Sequence, residues 1–156
     1  MPASRLNIDE VRKRLDGAQR TIYVLLANQA QNYFVDSFKK QEFAGQHWKE
    51  VQRRMPDKAA YKYPKKKGLQ RRTSPILIGA GYKIRGGTLR RAVSNMSRTA
   101  QYCSNGFRMI VDLPYAARHN EGLAGMPRRQ YVGQTSDLTQ MQNRLIAQEI
   151  DKIFRI

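Results

Sequence analysis

A single cysteine, Cys103, stands among the 156 residues. It leaves no internal disulfide and no multi-cysteine zinc site, fits a reducing compartment, and reads as a small apolar strand residue. Histidine is nearly as scarce: His47 and His119 are far apart in sequence and form no H-E-x-x-H. No apolar run approaches the roughly 20 residues that a membrane span needs. The opening stretch MPASRLNIDEVRKRL has no hydrophobic segment of the signal-peptide kind. The expectation is a chain made in the cytoplasm, with no membrane partner.

Acidic residues are also few. Twelve Asp and Glu face 29 Lys and Arg, for a net charge of +17, and none at all occurs from Lys58 to Val111. That stretch holds Lys58, Lys62, Lys65, Lys66, Lys67, Arg71, Arg72, Lys83, Arg85, Arg90, Arg91, Arg98 and Arg108. Such a field fits an acidic neighbour or nucleic acid; the plainer reading is a solvated face that keeps the protein soluble. Hydrophobic residues make up 40% of the chain, enough for one core, and the length suits a single domain over residues 1–156.

What is present begins with a helical pattern over 8–43. Ile8, Val11, Leu15, Ala18, Ile22 and Leu25 recur at spacings of three and four, and the apolar face then drifts to Leu26, Ala30, Phe34 and Phe38. Asn7 is placed as an N-cap, with Glu10 three residues on as in a capping box. A helix of this span is roughly 50 Å long at 1.5 Å per residue, unless it breaks near 28–32. It exceeds what a domain of this size needs, so one end is available to reach a neighbour.

Residues 44–75 read as an irregular basic arm with aromatic residues, Trp48, Tyr61 and Tyr63, among Lys62, Lys65, Lys66, Lys67, Arg71 and Arg72. Stacking plus charge could bind single-stranded nucleic acid. The preferred reading is an extended arm whose aromatics dock on the protein's own core or a neighbour's, because no nucleic-acid module surrounds it. The glycines at 79, 81, 86 and 87 match neither phosphate-binding fingerprint and read as turns. Thr88 is placed as the cap of a short turn holding Leu89, Arg90 and Arg91.

Strands follow. Residues 92–103 read as an exposed strand, Asn105-Gly106 as a hairpin turn, and GFRMIVDL as a strand with Phe107, Met109, Val111 and Leu113 on one face. Helical spacing returns at Leu138, Met141, Leu145, Ile146, Ile150 and Ile153, starting from Ser136 or Asp137. The expected fold is α+β: a long N-terminal helix and a C-terminal helix packed on a small antiparallel sheet, with the basic arm between.

Between the last strand and the last helix lies PYAARHNEGLAGMPRRQYVG, residues 114–133. It gathers His119, Glu121, three glycines and three arginines, which invites an active-site reading. A metal-nuclease cluster would have to draw on Asp112 and Glu121, with Asp137 as the third carboxylate. No nucleophile elbow, Cys–His pair or metal motif accompanies them, so the expectation is no catalytic residue, no metal and no cofactor.

The same stretch carries a resemblance. V-D-L-P, then Y-A-A-R-H-N-E-G, then M-P-R-R-Q-Y-V-G, then S-D-L and a terminal helix resemble the phage virion morphogenesis (tail completion) family. Upstream, G-G-T-L-R-R at Gly86–Arg91 is similar to the family's Gly-x-Leu-Arg element, and Trp48 and Ile76-Leu77 fall where the family often has a tryptophan and an Ile-Leu pair. The ordered set spans roughly 8–156. Gln130 departs from the family's usual proline, and Leu123-Ala124-Gly125 makes a shorter tip than usual.

The resemblance implies a non-enzymatic virion protein of a tailed phage or prophage, at the neck or the head-proximal end of the tail. Its implied partners are copies of itself in a ring, in all expectation six, neighbouring neck, tail-tube or connector proteins, and DNA passing through the channel. The motif residues Tyr115, His119, Gly122, Met126, Pro127, Arg128, Gly87 and Leu89 would then serve structure or interfaces. Tyr115 and His119 would pack and hydrogen-bond to brace the turn, Gly122 and Gly125 would reverse the chain, and Met126-Pro127 would start an edge strand. Arg128 and Arg129 would project to solvent or an acidic partner. The alternative is a basic nucleic-acid-binding protein acting through the 44–75 arm.

Overall fold

A computed structural model describes residues 7–62, 75–77, 88–95 and 99–154. Helix α1 runs from Ile8 to Lys40. Asn7 caps it as expected, its Oδ1 accepting from the backbone N–H of Asp9 at 3.1 Å and of Glu10 at 3.4 Å. Glu10 does not reach back to close a capping box; it pairs one turn on with Arg14. The helix is unbroken through 28–32 and stops three residues earlier than its pattern suggests. Gln41 takes a left-handed conformation (φ 57°) that ends it.

Gln41 also ties three segments together. Its carbonyl accepts from Trp48 N, and its side-chain oxygen accepts from Ile76 N and from Arg54 Nη1. The chain then turns through a short antiparallel pair, β1 (Glu42–Phe43) and β2 (Gln46–His47), rather than continuing as helix to 43. A 3₁₀ turn at Gln52–Arg54 and a single helical turn α2 (Ala59–Lys62) follow. The first half of the expected irregular arm is thus folded; Tyr63, Lys65, Lys66, Lys67, Arg71 and Arg72 lie outside the described residues, as do Gly79, Gly81, Gly86 and Gly87.

The strand expected over 92–103 is helical in its first part. Helix α3 covers Thr88–Ser94, so Thr88 is its first residue rather than a cap. Its apolar residues Leu89 and Val93, four apart, are buried, and Gln31 donates to the Val93 carbonyl at 3.0 Å from within α1. Burial of this face outweighed the mixed polarity from which a strand was read. Thr99 donates its hydroxyl to Ala92 O and Asn95 O, satisfying carbonyls at the helix end.

Strands β3 (Ala100–Cys103) and β4 (Gly106–Met109) form the expected hairpin, paired from Ala100–Met109 to Cys103–Gly106. The two loop residues are Ser104 and Asn105, one position earlier than an Asn-Gly turn would have them. Cys103 ends β3, a strand residue as expected, and is exposed there. Phe107, Met109, Val111 and Leu113 do pack on the core, as their alternation requires.

Helix α4 (Ser136–Phe154) closes the fold. Thr135 is its cap, accepting from Leu138 N at 3.1 Å, and the Thr135 hydroxyl bonds the Tyr33 hydroxyl of α1 at 3.1 Å. Leu138, Gln142 and Ile146 border one groove with Phe34, Ala30 and Leu26, so α4 runs back along α1. The architecture is α+β: two long helices, with two small antiparallel strand pairs packed against them. Among the described residues no helix is long and apolar enough to cross a membrane.

The core lies at the C-terminal half of α1. Ala30, Phe34 and Phe38 meet Phe43, Trp48, Ile76, Leu89, Val93, Ala116, Tyr131 and Leu138. The heptad-like face assigned to the N-terminal half is not part of it. Ile8 is 78% exposed and Leu15 is also exposed, Val11, Ala18, Ile22 and Leu25 are half-buried, and full burial begins at Leu26. On α4, Met141 near its start and Ile150 and Phe154 at its far end are likewise exposed.

Candidate functional site

The 114–133 segment folds as a tip on this core. Ala116 is buried, and Arg118–Gly122 make a single π-helical turn closed by Leu123 N donating to Arg118 O at 3.1 Å. Gly122 and Gly125 hold φ of 77° and 73°, a region that side chains disfavour, and there the chain reverses as expected. A Cβ on Gly122 would sit 3.0 Å from the backbone nitrogen of Arg128, so any side chain there would have to push the returning chain aside.

The expected edge strand from Met126-Pro127 does not form. Pro127 has no N–H to give a ladder, and the donors after it are taken elsewhere. Arg129 N donates to the His119 carbonyl at 2.7 Å, while Tyr131 N and Val132 N both donate to the side-chain oxygen of Asn120, at 3.0 and 3.1 Å. Asn120 is therefore the brace of the tip, a role that its sequence position did not signal. Tyr131 fills the core beside Phe38 and donates its hydroxyl to Ala116 O. Burial, with the nearby Tyr115 and Glu121, keeps the Tyr131 phenol protonated well beyond its ordinary range.

Tyr115 and His119 pack edge to face, with ring centres 6.0 Å apart, as the bracing expectation requires. The hydrogen-bonding half of that expectation is not met at one ring nitrogen: His119 Nδ1 is buried and has no partner. Burial, and then the charge of Arg129, pull the His119 pKa below its ordinary value, so the ring is neutral at physiological pH. Leu89 is buried in the core. Met126 and Pro127 are half-buried. Arg128 is exposed and donates to Gln130 Oε1. Lys62 ends α2.

Arg129 departs most from expectation. It does not project outward; it is 6% exposed, and its Nε donates to the carbonyl of Lys49 at 3.0 Å. It lines a recess of about 150 Å³ with Arg53, His119, Tyr115, Val51, Ile76, Leu77 and Leu89. Leu77, on the wall, holds a left-handed φ of 60°, unfavourable for a side chain by roughly 1–2 kcal/mol.

The first aromatic of the basic segment is committed to the core. Trp48 is 7% exposed, stands edge to face on Phe38 at 5.6 Å, and donates its indole N–H to Gln130 O at 2.6 Å. That is the self-docking expected of the arm. His47 sits on β2 and faces Glu42 across the pair at 3.3 Å; distant from the tip in sequence, it borders a recess with Arg128 and Gln130 of the tip's returning chain. Asp112, Glu121 and Asp137 do not assemble: no group of three or more His, Cys, Asp or Glu among the described residues could hold a metal ion.

The chain matches no protein-family model, no curated protein and no solved structure.

Proposed function

We propose that this chain is a structural virion protein of a tailed phage or prophage. It would act at the neck or head-proximal end of the tail, in tail completion, tail termination or head–tail joining, by assembling into a ring with copies of itself. The ordered motifs from Trp48 to the terminal helix supply the family resemblance. The structural observation that carries the assembly reading is the uncovered apolar surface at the far ends of the two long helices. Ile8 and Leu15 of α1, seven apart and so on one face, and Ile150 and Phe154 of α4, four apart, are exposed, although they lie on helices whose other ends are packed in the core. Scattered exposed apolar residues are ordinary; a series along one projecting helix pair is the kind of surface that a neighbour covers. A head-to-tail ring, in which one patch meets a different one, uses such a projection directly.

Charge sets the condition for assembly. At +17 per copy, self-association at low salt is opposed by repulsion, so screening salt, DNA or an acidic neighbour is needed. A basic channel lining would serve DNA passage, since phosphate contacts need no sequence readout.

Negative-stain images and sedimentation at low and at 0.5 M salt test this reading. Discrete rings at the higher salt, or copies touching one another in the assembled particle, are the expected result. A protein that stays monomeric at every salt concentration, touches no other copy in the particle and binds DNA in a salt-sensitive way would transfer the case to the nucleic-acid alternative.

A further inference from the structure

Arg129 is a nearly fully buried arginine without an ion pair. Its guanidinium Nε reaches the Lys49 carbonyl, and no carboxylate lies within ion-pair distance of it. All twelve Asp and Glu of the chain are at described positions, so none of them is left to fill that place. Glu50 is close enough to favour the charged form of Arg129, but its Oε1 is 3.5 Å from Arg54 Nε and accepts from Val51 N. The charge of Arg53 opposes it, and His119 adds a buried ring nitrogen with no partner on the same recess.

A buried cation is stable when an anion meets it, and removing the anion from such a pair is strongly unfavourable. Here the Arg129 guanidinium is in place and no carboxylate of the chain pairs with it, while Arg53 beside it is held by the Pro75 carbonyl at 2.9 Å. We propose that the recess bordered by Arg129, Arg53 and His119 is a receptor for a carboxylate, an Asp or Glu side chain presented by another protein. The planar guanidinium fork matches a carboxylate with two parallel hydrogen bonds. Size and lining favour this source over a nucleic-acid backbone. About 150 Å³ holds roughly five waters at 30 Å³ each, or one short acidic side chain. Its walls at Val51, Leu77 and Leu89 are apolar, suited to a methylene stem and not to a duplex, whose phosphates lie along a broad convex surface. The site is independent of the ring reading: it can be occupied by any acidic partner, and rings can form without it.

The test follows the Arg129 Nε–H resonance of the full ¹⁵N-labelled chain. Sodium acetate, inorganic phosphate and a 20-base-pair duplex are titrated separately against sodium chloride at constant ionic strength. A saturable shift with acetate, weakened at least tenfold in Arg53→Gln, is the expected result, and in Arg129→Gln the acetate-induced shifts of the Lys49 and His119 backbone amides should be lost. The dispersed amide spectrum of Arg53→Gln verifies that it is folded, so the outcome does not depend on the more buried Arg129 variant. No shift beyond that of chloride, or a shift undiminished in Arg53→Gln, overturns the proposal. Saturation by phosphate or duplex with none by acetate also overturns it, in favour of a nucleic-acid contact.

Discussion

Trp48 and Gln130 are joined by a 2.6 Å hydrogen bond from the indole N–H to a backbone carbonyl, across 82 residues of sequence. The bond pins the start of the basic segment to the return arm of the tip, and Phe38 packs on the indole face from α1. Removing the indole would open a cavity where three segments converge. Trp48→Ala is expected to destabilise the fold by about 3–5 kcal/mol. Trp48→Phe keeps an aromatic ring but leaves the carbonyl unpaired, for about 1–3 kcal/mol. Denaturant midpoints with unchanged slopes measure both. Trp48 is also the sole tryptophan, so its emission reports on this junction. Adding single-stranded oligonucleotide should leave that emission unchanged; quenching with a red shift would mean that the indole leaves the core to stack on bases.

The tip's reliance on one amide gives a second prediction. Asn120→Ala strips Tyr131 N and Val132 N of their shared acceptor. The expected loss is about 1–3 kcal/mol, and Asn120→Asp, which keeps an acceptor oxygen, should recover most of it. Hydrogen exchange at the amides of 131 and 132 should accelerate in the Ala variant ahead of the core. Unchanged protection there would show that Asn120 does not brace the tip.

His119 predicts a pH dependence. Its folded pKa lies below the ordinary 6.5, through burial first and the Arg129 charge second. The unfolded chain thus takes up a proton near pH 6.5 that the folded chain resists. Stability is complete above about 6.5 and falls as pH drops below it toward the lower folded pKa. His119→Phe, which keeps a ring against Tyr115, should flatten the decline between pH 7.5 and 5.5. An equally steep decline in that variant would assign the effect to other groups.

The projecting helix ends give the fourth. Leu15→Asp with Ile150→Asp replaces exposed apolar residues, so the monomer should lose no more than about 0.5–1 kcal/mol. Ring formation at 0.5 M salt should fall at least tenfold by sedimentation. Rings that persist in the double variant would remove this surface from the interface.

Much of this fold can be read from the chain. The drift of apolar residues through Leu26, Ala30, Phe34 and Phe38 marks the core face of α1, and the alternation from Phe107 to Leu113 marks the buried face beyond the hairpin. The errors share a cause, in that tertiary partners decide what a pattern can only propose. The spacing from Ile8 to Leu25 is as regular as that of the core face, yet Ile8 and Leu15 are exposed and Val11, Ala18, Ile22 and Leu25 are only half-buried. The 92–103 segment is polar enough to look like an edge strand, but Leu89 and Val93 have a hydrophobic pocket to fill and so the chain starts as helix. At the tip, Gly122 and Gly125 were legible because a reversal needs left-handed backbone. Asn120 and the inward turn of Arg129 were not, since each depends on a chain segment that arrives from elsewhere.

The closing bond between Thr135 and Tyr33 joins residues 102 positions apart. During synthesis at about 5–20 residues per second, the apolar stripe of α1 leaves the ribosome roughly 5–20 s before the helix that packs beside it. The charged flank of Arg12, Lys13, Arg14 and Arg20 keeps that early helix in solution, while Ala30, Phe34 and Phe38 wait uncovered. The nascent chain is therefore a natural client for a holding chaperone, and copies growing on neighbouring ribosomes of one message are each other's nearest source of a stray partner.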